Sequence, residues 1–172
     1  MATPKFQALT LKAAGLMNRL VTEVTVMPTF DPANPPIPLP PTMTTSALWD
    51  TGASKSVISP AVVSALALTP VGSTQINHFG GITTKPTYMV SLWLPNRVGI
   101  TGILAAEFDQ GGATGFEVII GMDVITLGDF SLTNVGGRTC MSFRTPSIQE
   151  VDFVAAHNRQ VFAGVGRNDP CP

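Results

Sequence analysis

Glycine and proline interrupt this chain so often that it has little room for long helices. The 172 residues include 16 glycines and 15 prolines, and these residue types mark turns and end regular elements. Short apolar segments between turns are typical of a mainly β domain. In residues 20–26 (LVTEVTV), Leu20, Thr22, Val24 and Val26 fall on one face of a strand. The sequence therefore predicts a mainly β fold with one or two short helices.

Length and charge indicate one ordinary globular domain. Hydrophobic residues make up 44% of the chain and charged residues 12%, with a net charge of -1. Neither a disordered tail protein nor a nucleic-acid binder that neutralises phosphates has this composition. We expect an N-terminal extension over residues 1–19, a folded domain over residues 20–146 and a C-terminal tail over residues 147–172.

No targeting or membrane segment is expected. Residues 1–20 lack a continuous apolar stretch, and no apolar run is long enough to span a bilayer. Cys140 and Cys171 are too few for a disulfide framework and fit a reducing compartment. The sequence favours a cytoplasmic protein that does not contact membranes.

Several further elements follow from residue pattern. Residues 60–66 are predicted to be helical, since Ser59 suits the N-cap and Pro60 the first helical position. Residues 28–41 hold seven prolines, which predicts an extended surface loop, either an idle linker or a loop that frames a binding cleft. A turn is predicted at residues 77–82, and residues 148–162 form either a short helix or a packed tail. The remaining predicted strands cover residues 46–49, 88–94, 98–108 and 116–120, and the hairpin pair 130–133 and 139–143.

Residues 48–54 (LWDTGAS) carry the clearest chemical signal. An apolar strand ends at Asp50, and Thr51 and Gly52 follow in a tight turn. Such a turn can surround a carboxylate with hydrogen-bond donors and leave one face open. A plain Asx-type turn at a strand end has the same local sequence, so this segment does not decide the function alone. Motifs for nucleotides, zinc and a serine nucleophile are missing, and neither a metal nor a cofactor is expected.

Two later segments complete a specific order. Residues 80–82 (GGI) are placed like a hairpin tip, and residues 119–121 (IIG) end a buried strand. The order of D-T-G-A-[ST], a glycine-rich flap and an apolar-apolar-Gly element resembles the retropepsin-like aspartic protease family. The resemblance covers about residues 20–143, and residues 120–123 (IGMD) are more similar to the bacterial and cellular branch than to the viral one.

The resemblance implies a single-domain acid protease barrel that is active as a homodimer. The chain has one D-T-G element, whereas the family's chemistry uses two carboxylates that share a proton, so each subunit would supply one Asp50. The implied function is an aspartic endopeptidase that hydrolyses peptide or protein substrates. By resemblance, the catalytic residues are Asp50, Thr51 and Gly52, and the substrate-binding residues are Ala53, Ser54, Phe79, Gly80, Gly81 and Ile82.

Some positions depart from the family pattern. Viral relatives have an ion pair between a carboxylate after D-T-G-A and an arginine after the third-element glycine, where this chain has Ser54 and Met122. The loss of both charges predicts a weaker dimer that other contacts hold. Asp123 and Asp129 lack a Thr-Gly context and are not expected to be second catalysts. Trp49 is bulkier than the usual aliphatic residue, and it either fills space beneath the turn or is ordinary core.

Two questions stay open in the sequence: whether residues 166–172 belong to a zinc-binding motif, and whether the protein is a protease or has another function. Residues 166–172 (GRNDPCP) resemble the opening of a SEC-C zinc-binding motif, but one cysteine cannot hold a structural zinc ion. Either the natural chain continues, or the likeness is chance. The alternatives to a protease are a catalytically weak peptide-binding or dimerisation module of the same fold, and an adaptor that acts through the zinc segment. An intact D-T-G element argues against the first, since a pure binder needs no carboxylate pair.

Overall fold

Short strands make up most of the fold, as the glycine and proline content predicts. The computed structural model describes residues 6–78, 81–108 and 115–165. The helices in this region are α1 (Pro60–Ala65), α2 (Met122–Ile125) and α3 (Phe153–Val165). The strands are β1 (Gln7–Lys12), β2 (Val21–Pro28), β3 (Met43–Trp49), β4 (Val57–Ile58), β5 (Gly72–His78), β6 (Gly81–Leu94), β7 (Val98–Glu107), β8 (Val118–Ile120), β9 (Asp129–Thr133) and β10 (Cys140–Thr145).

Six of these strands close into a barrel around an apolar core. The pairing runs in a circle through β2, β3, β8, β4, β7 and β6 and returns to β2. The β3–β8 and β4–β7 pairs are parallel, and the others are antiparallel. Side chains alternate between the inside and the outside of such a barrel, and those fully buried include Val24, Val26, Leu92, Val98, Val118 and Ile120. The barrel is the frame from which the loops project.

One strand of the barrel continues beyond it as a hairpin. β6 is 14 residues long. Its residues 87–94 lie opposite β7, whereas its residues 81–87 lie opposite β5. Within the described residues, β5 is the outermost strand of its sheet.

A second sheet packs against the barrel through aromatic rings. β10 lies between β1 and β9, antiparallel to both. The Trp49 ring lies 5.8 Å from the ring of Phe130 and 5.1 Å from that of Phe143, measured between centroids. The Trp49 indole Nε1 also donates to the Thr22 hydroxyl at 2.9 Å. Trp49 therefore joins the two sheets within the hydrophobic core, and of the two roles foreseen for it the structure supports that of ordinary core.

Replacing Trp49 with leucine should destabilise the protein. Trp49 is 5% exposed, and the smaller side chain loses both ring contacts and leaves an unfilled volume. We expect the free energy of unfolding to fall by about 3 kcal/mol, as measured by urea denaturation. Trp49→Phe keeps a ring and loses the indole N–H, so it should lose less than half of that amount. A Trp49→Leu protein as stable as the parent would contradict the role of this contact.

Most of the predicted elements are confirmed, with shifted ends. The predicted strands correspond to β2, β3, β6, β7, β8, β9 and β10, and the predicted helix to α1. The Ser59 hydroxyl accepts the Val62 N–H at 3.3 Å, as expected of an N-cap. Residues 29–42 contain no strand or helix and are mostly exposed. The tail forms a helix, α3, which settles one of the open alternatives.

Other elements differ from the sequence prediction. β1 was not predicted, although Leu9 on it is 3% exposed and belongs to the core. Four of the six residues predicted as a turn at 77–82 belong to strands instead, because β5 reaches His78 and β6 starts at Gly81. β4 and α2 are too short to carry a periodic pattern. With α3, the described residues contain one helix more than the one or two predicted. No helix there is both long and apolar enough to cross a bilayer.

Candidate active site

The turn after β3 presents Asp50 at the surface of the barrel. Asp50 is partly exposed, and Thr51, Gly52 and Ser54 are exposed. One carboxylate oxygen of Asp50, Oδ1, accepts the Gly52 N–H at 2.8 Å, and the Asp50 carbonyl accepts the Ala53 N–H at 3.2 Å. A Cβ on Gly52 would lie 3.1 Å from Oδ1, so glycine lets the turn close tightly around the carboxylate.

Strand β8 supports this turn from below. β8 runs parallel to β3, and Trp49 lies opposite Ile120. The Asp50 N–H donates to the Ile120 carbonyl at 3.0 Å, and the Met122 N–H donates to the Ala53 carbonyl at 2.8 Å. Two backbone hydrogen bonds thus tie the turn to the end of β8.

Gly121 allows this close approach. A Cβ at Gly121 would lie 2.6 Å from the carbonyl carbon of Lys55, 2.7 Å from its oxygen and 2.9 Å from the Ala53 carbonyl oxygen. These are backbone atoms, which cannot move aside as the end of a side chain can. The glycine of the third motif element is therefore required by packing under the turn.

Ser56 and Asp123 form a further contact that the sequence did not predict. The Ser56 hydroxyl donates to Asp123 Oδ1 at 2.7 Å, and the Ser56 N–H lies 2.9 and 3.0 Å from the two carboxylate oxygens. The Ser56 hydroxyl oxygen also accepts the Gly121 N–H at 3.0 Å. The sequence offered only a weak sign of this contact. Ser56 is a polar residue just before the apolar residues of β4, and Asp123 is a polar residue two positions after Gly121.

Two of the remaining expected site residues, Gly81 and Ile82, lie on the strand that pairs with β5. Gly81 and Ile82 begin β6, and Gly81 lies opposite His78. Gly81 has φ of +118°, a conformation that favours glycine. The Ile82 side chain is 65% exposed. Phe79 and Gly80 lie outside the described residues, as does the segment 166–172 that resembles a zinc motif. The structure thus brings Asp50, Gly52 and Ala53 together with β8, and places Gly81 and Ile82 on a separate hairpin.

Asp129 has a structural environment of its own. Its carboxylate accepts from Ser147, from the backbone N–H of Ile148 at 3.1 Å, and from Arg144 Nε at 2.6 Å. The Ser147 hydroxyl, the Ile148 N–H and the Arg144 guanidinium hold the pKa of Asp129 well below its ordinary value. These contacts join β9 to β10 and to the start of the tail.

Asp129 should stabilise the protein at neutral pH and lose this contribution at acidic pH. Because its pKa is lower in the folded state, its stabilising contribution is present above the ordinary pKa of 3.8 and disappears as the pH falls towards the folded value. In thermal melts, Asp129→Asn should lower the melting temperature at pH 7 more than at pH 3. An equal deficit at both pH values would contradict the assignment.

A cavity of about 400 Å³ lies on the second sheet, apart from these residues. It is lined by Lys12, Ala13, Thr133, Val135, Arg138, Thr139 and Cys140. None of the expected site residues that the structure describes lines this cavity.

Comparisons with known proteins found a family model and solved structures that match this chain. A family model described as aspartyl protease matches residues 42–124, from the start of β3 to α2. The chain is similar to the crystal structure of a retropepsin-like aspartic protease from Rickettsia conorii, with 10% identity, a TM-score of 0.49, and coverage of 84% of this chain and 99% of that one. No match was found among curated proteins. The family match supports a protease-type function.

Proposed function

We propose that this protein is an aspartic endopeptidase that works as a homodimer, with one Asp50 from each subunit. The observation that carries the proposal is the Asp50 turn. A partly exposed carboxylate, held by the Gly52 N–H at 2.8 Å, lies on a turn that two backbone hydrogen bonds fix to β8. Because the chain has one such motif, a pair of carboxylates requires two chains.

The proposed chemistry divides two tasks between the paired carboxylates. The ionised carboxylate accepts a proton from water, and the oxygen of that water attacks the peptide carbonyl carbon. The protonated carboxylate donates its proton to the carbonyl oxygen, which gives a tetrahedral diol. Proton transfer to the nitrogen then breaks the C–N bond and releases an amine and a carboxylic acid. Two like charges a few ångströms apart do not both ionise, so the pair holds one proton over a wide pH range, as is established for aspartic proteases.

Neighbouring residues would hold the two turns and the substrate. Thr51, which is exposed beside Asp50, would hydrogen-bond across the dimer axis. Gly52 would offer its carbonyl to the substrate backbone. The hairpin tip would close over the peptide and reduce its contact with water. The proposed substrate-binding residues are Ala53, Ser54, Phe79, Gly80, Gly81 and Ile82.

The proposed substrate is a peptide or protein in the cytoplasm. A free thiol at Cys140 is compatible with a reducing compartment. Subsite preferences depend on residues of both subunits.

Activity should depend on protein concentration, because one subunit supplies only one carboxylate. We expect specific activity to rise with concentration in step with a species of about twice the 18.1 kDa chain mass in light scattering. Pepstatin should inhibit the cleavage and shift the equilibrium towards that species. Full activity of a monomer would exclude the paired mechanism.

A further inference from the structure

We propose that Ser56 and Asp123 are positioning residues for Asp50: their hydrogen bonds lock the end of the Asp50 turn to the β8–α2 junction. The inference rests on the proposed peptidase function of Asp50. Neither residue belongs to the D-T-G motif, and each acts through the backbone rather than on the substrate.

Four contacts connect the turn with the β8–α2 junction. The first joins the Asp50 N–H to the Ile120 carbonyl at 3.0 Å, and the second joins the Met122 N–H to the Ala53 carbonyl at 2.8 Å. The third is the lock of Ser56 with Asp123. The fourth joins the Gly121 N–H to the Ser56 hydroxyl at 3.0 Å. The first two are made by the backbone alone, whereas the third needs the Asp123 carboxylate, so Asp123→Ala removes the third contact and leaves the other three.

The orientation of the Ser56 hydroxyl is determined by its neighbours. Ser56 is 1% exposed, and its oxygen accepts the Gly121 N–H at 3.0 Å. Its single hydrogen therefore points to Asp123 Oδ1, 2.7 Å away. That same oxygen lies 2.9 Å from the Ser56 N. One carboxylate thus holds both the main chain and the side chain of the residue that ends the turn.

The lock also connects the turn to the barrel. The Ser56 carbonyl accepts the Ala106 N–H of β7 at 3.3 Å, and β4 starts at the next residue. Ser56 is thus held from both sides, by Asp123 and by β7. Without the Asp123 contact, the turn keeps its backbone bonds near Asp50, but its far end is held by fewer contacts, those with β7 and with the Gly121 N–H. A catalytic group displaced by even about 1 Å can lose about 100-fold in rate.

The test compares Ser56→Ala, Asp123→Ala and Asp123→Asn with matched controls. Ser91→Ala removes another buried hydroxyl, 3% exposed and 3.0 Å from the Thr29 hydroxyl. Asp31→Ala removes another carboxylate that accepts a backbone N–H, that of Ala33 at 2.9 Å. Peptide cleavage is measured for each protein at a concentration where it is dimeric, with active sites counted by a tight-binding inhibitor.

We expect Ser56→Ala and Asp123→Ala to lower kcat about 10- to 100-fold per active site and to leave KM within about twofold. Asp123→Asn keeps an oxygen atom in the place of Oδ1, which accepts both the backbone N–H and the hydroxyl of Ser56. Its kcat should therefore lie between those of Asp123→Ala and the parent. Because Ser56 and Asp123 act as one unit, the double alanine variant should be little slower than either single variant. Both controls should keep the parent kcat.

Hydrogen exchange provides a readout that does not need activity. In Ser56→Ala and Asp123→Ala, the backbone amides of residues 50–56 should exchange faster than in the parent, and those of β2 should not. A parent protein without peptidase activity would overturn the proposed function. The exchange rates would still show whether the contact between Ser56 and Asp123 holds the turn in place. Parent kcat together with parent exchange in both alanine variants would overturn the positioning role.

Discussion

An Asp50→Asn protein should fold as the parent does and lose its peptidase activity. The amide oxygen can still accept the Gly52 N–H, which lies 2.8 Å from Asp50 Oδ1 in the parent, so the turn should persist. An amide cannot take a proton from water or share a proton with its partner, and we expect cleavage to fall by about 10³-fold or more. The measurement is the release of a fluorescent peptide product under conditions where the parent is dimeric.

The matched control for this substitution is Asp31→Asn. Asp31 is an exposed carboxylate in the proline-rich loop that accepts the Ala33 N–H and the Asn34 side chain. Both variants lose one negative charge, so a general charge effect would slow them equally. We expect the Asp31 variant to cleave at the parent rate. Turnover at the parent rate in Asp50→Asn would remove Asp50 from the mechanism.

Gly121→Ala should be the most destabilising single-methyl change near the site. The new Cβ would lie 2.6 Å from the carbonyl carbon of Lys55, so the Asp50 turn and the β8–α2 junction must move apart. We expect a loss of about 3 kcal/mol in the free energy of unfolding and a melting temperature lower by roughly 10 °C. Folded protein that remains should also cleave more slowly, since the same displacement moves Asp50.

Gly15→Ala is the control for the added methyl group. A Cβ at Gly15 would meet nothing within 4 Å, and the residue is exposed. Its melting temperature should stay within a few degrees of the parent value. If the melting temperature of Gly121→Ala equalled that of Gly15→Ala, the close contact beneath the turn would not govern stability.

Sequence pattern predicted the barrel strands well where one face is buried. β2 follows the alternation of Leu20, Thr22, Val24 and Val26, and the end of β8 follows from two isoleucines before a glycine. β1 carries a similar alternation at Leu9 and Leu11, but two short apolar positions did not identify a strand whose partner, β10, is more than a hundred residues away. The missing information was the long-range pairing.

The candidate site was predictable only as far as its local motif. Asp50 and Gly52 were identified from adjacent residues, and Gly121 from its place after two apolar residues. The contact between Ser56 and Asp123 joins positions 67 residues apart, and neither position has a distinctive neighbour. Asp123 was not expected to be a second catalytic carboxylate, and its hydrogen bonds to the turn could come only from the fold.

The long strand β6 is fixed to the barrel along one part of its length, and the other part extends beyond the barrel. Its inner half is anchored opposite β7 and β2, whereas residues 81–86 overhang with β5, a reach of about 20 Å. Pro86 lies where this part of β6 leaves the barrel. Proline has no backbone N–H, so a bend at Pro86 breaks no hydrogen bond donated by that residue. With that reach, a tilt of about 10° at Pro86 moves the far end by about 3 Å. Residues 81–86 pair with β5, whereas the pairs of β6 with β7 and β2 begin at Thr87 and Val90, so the contacts that a bend would strain first lie outside the barrel.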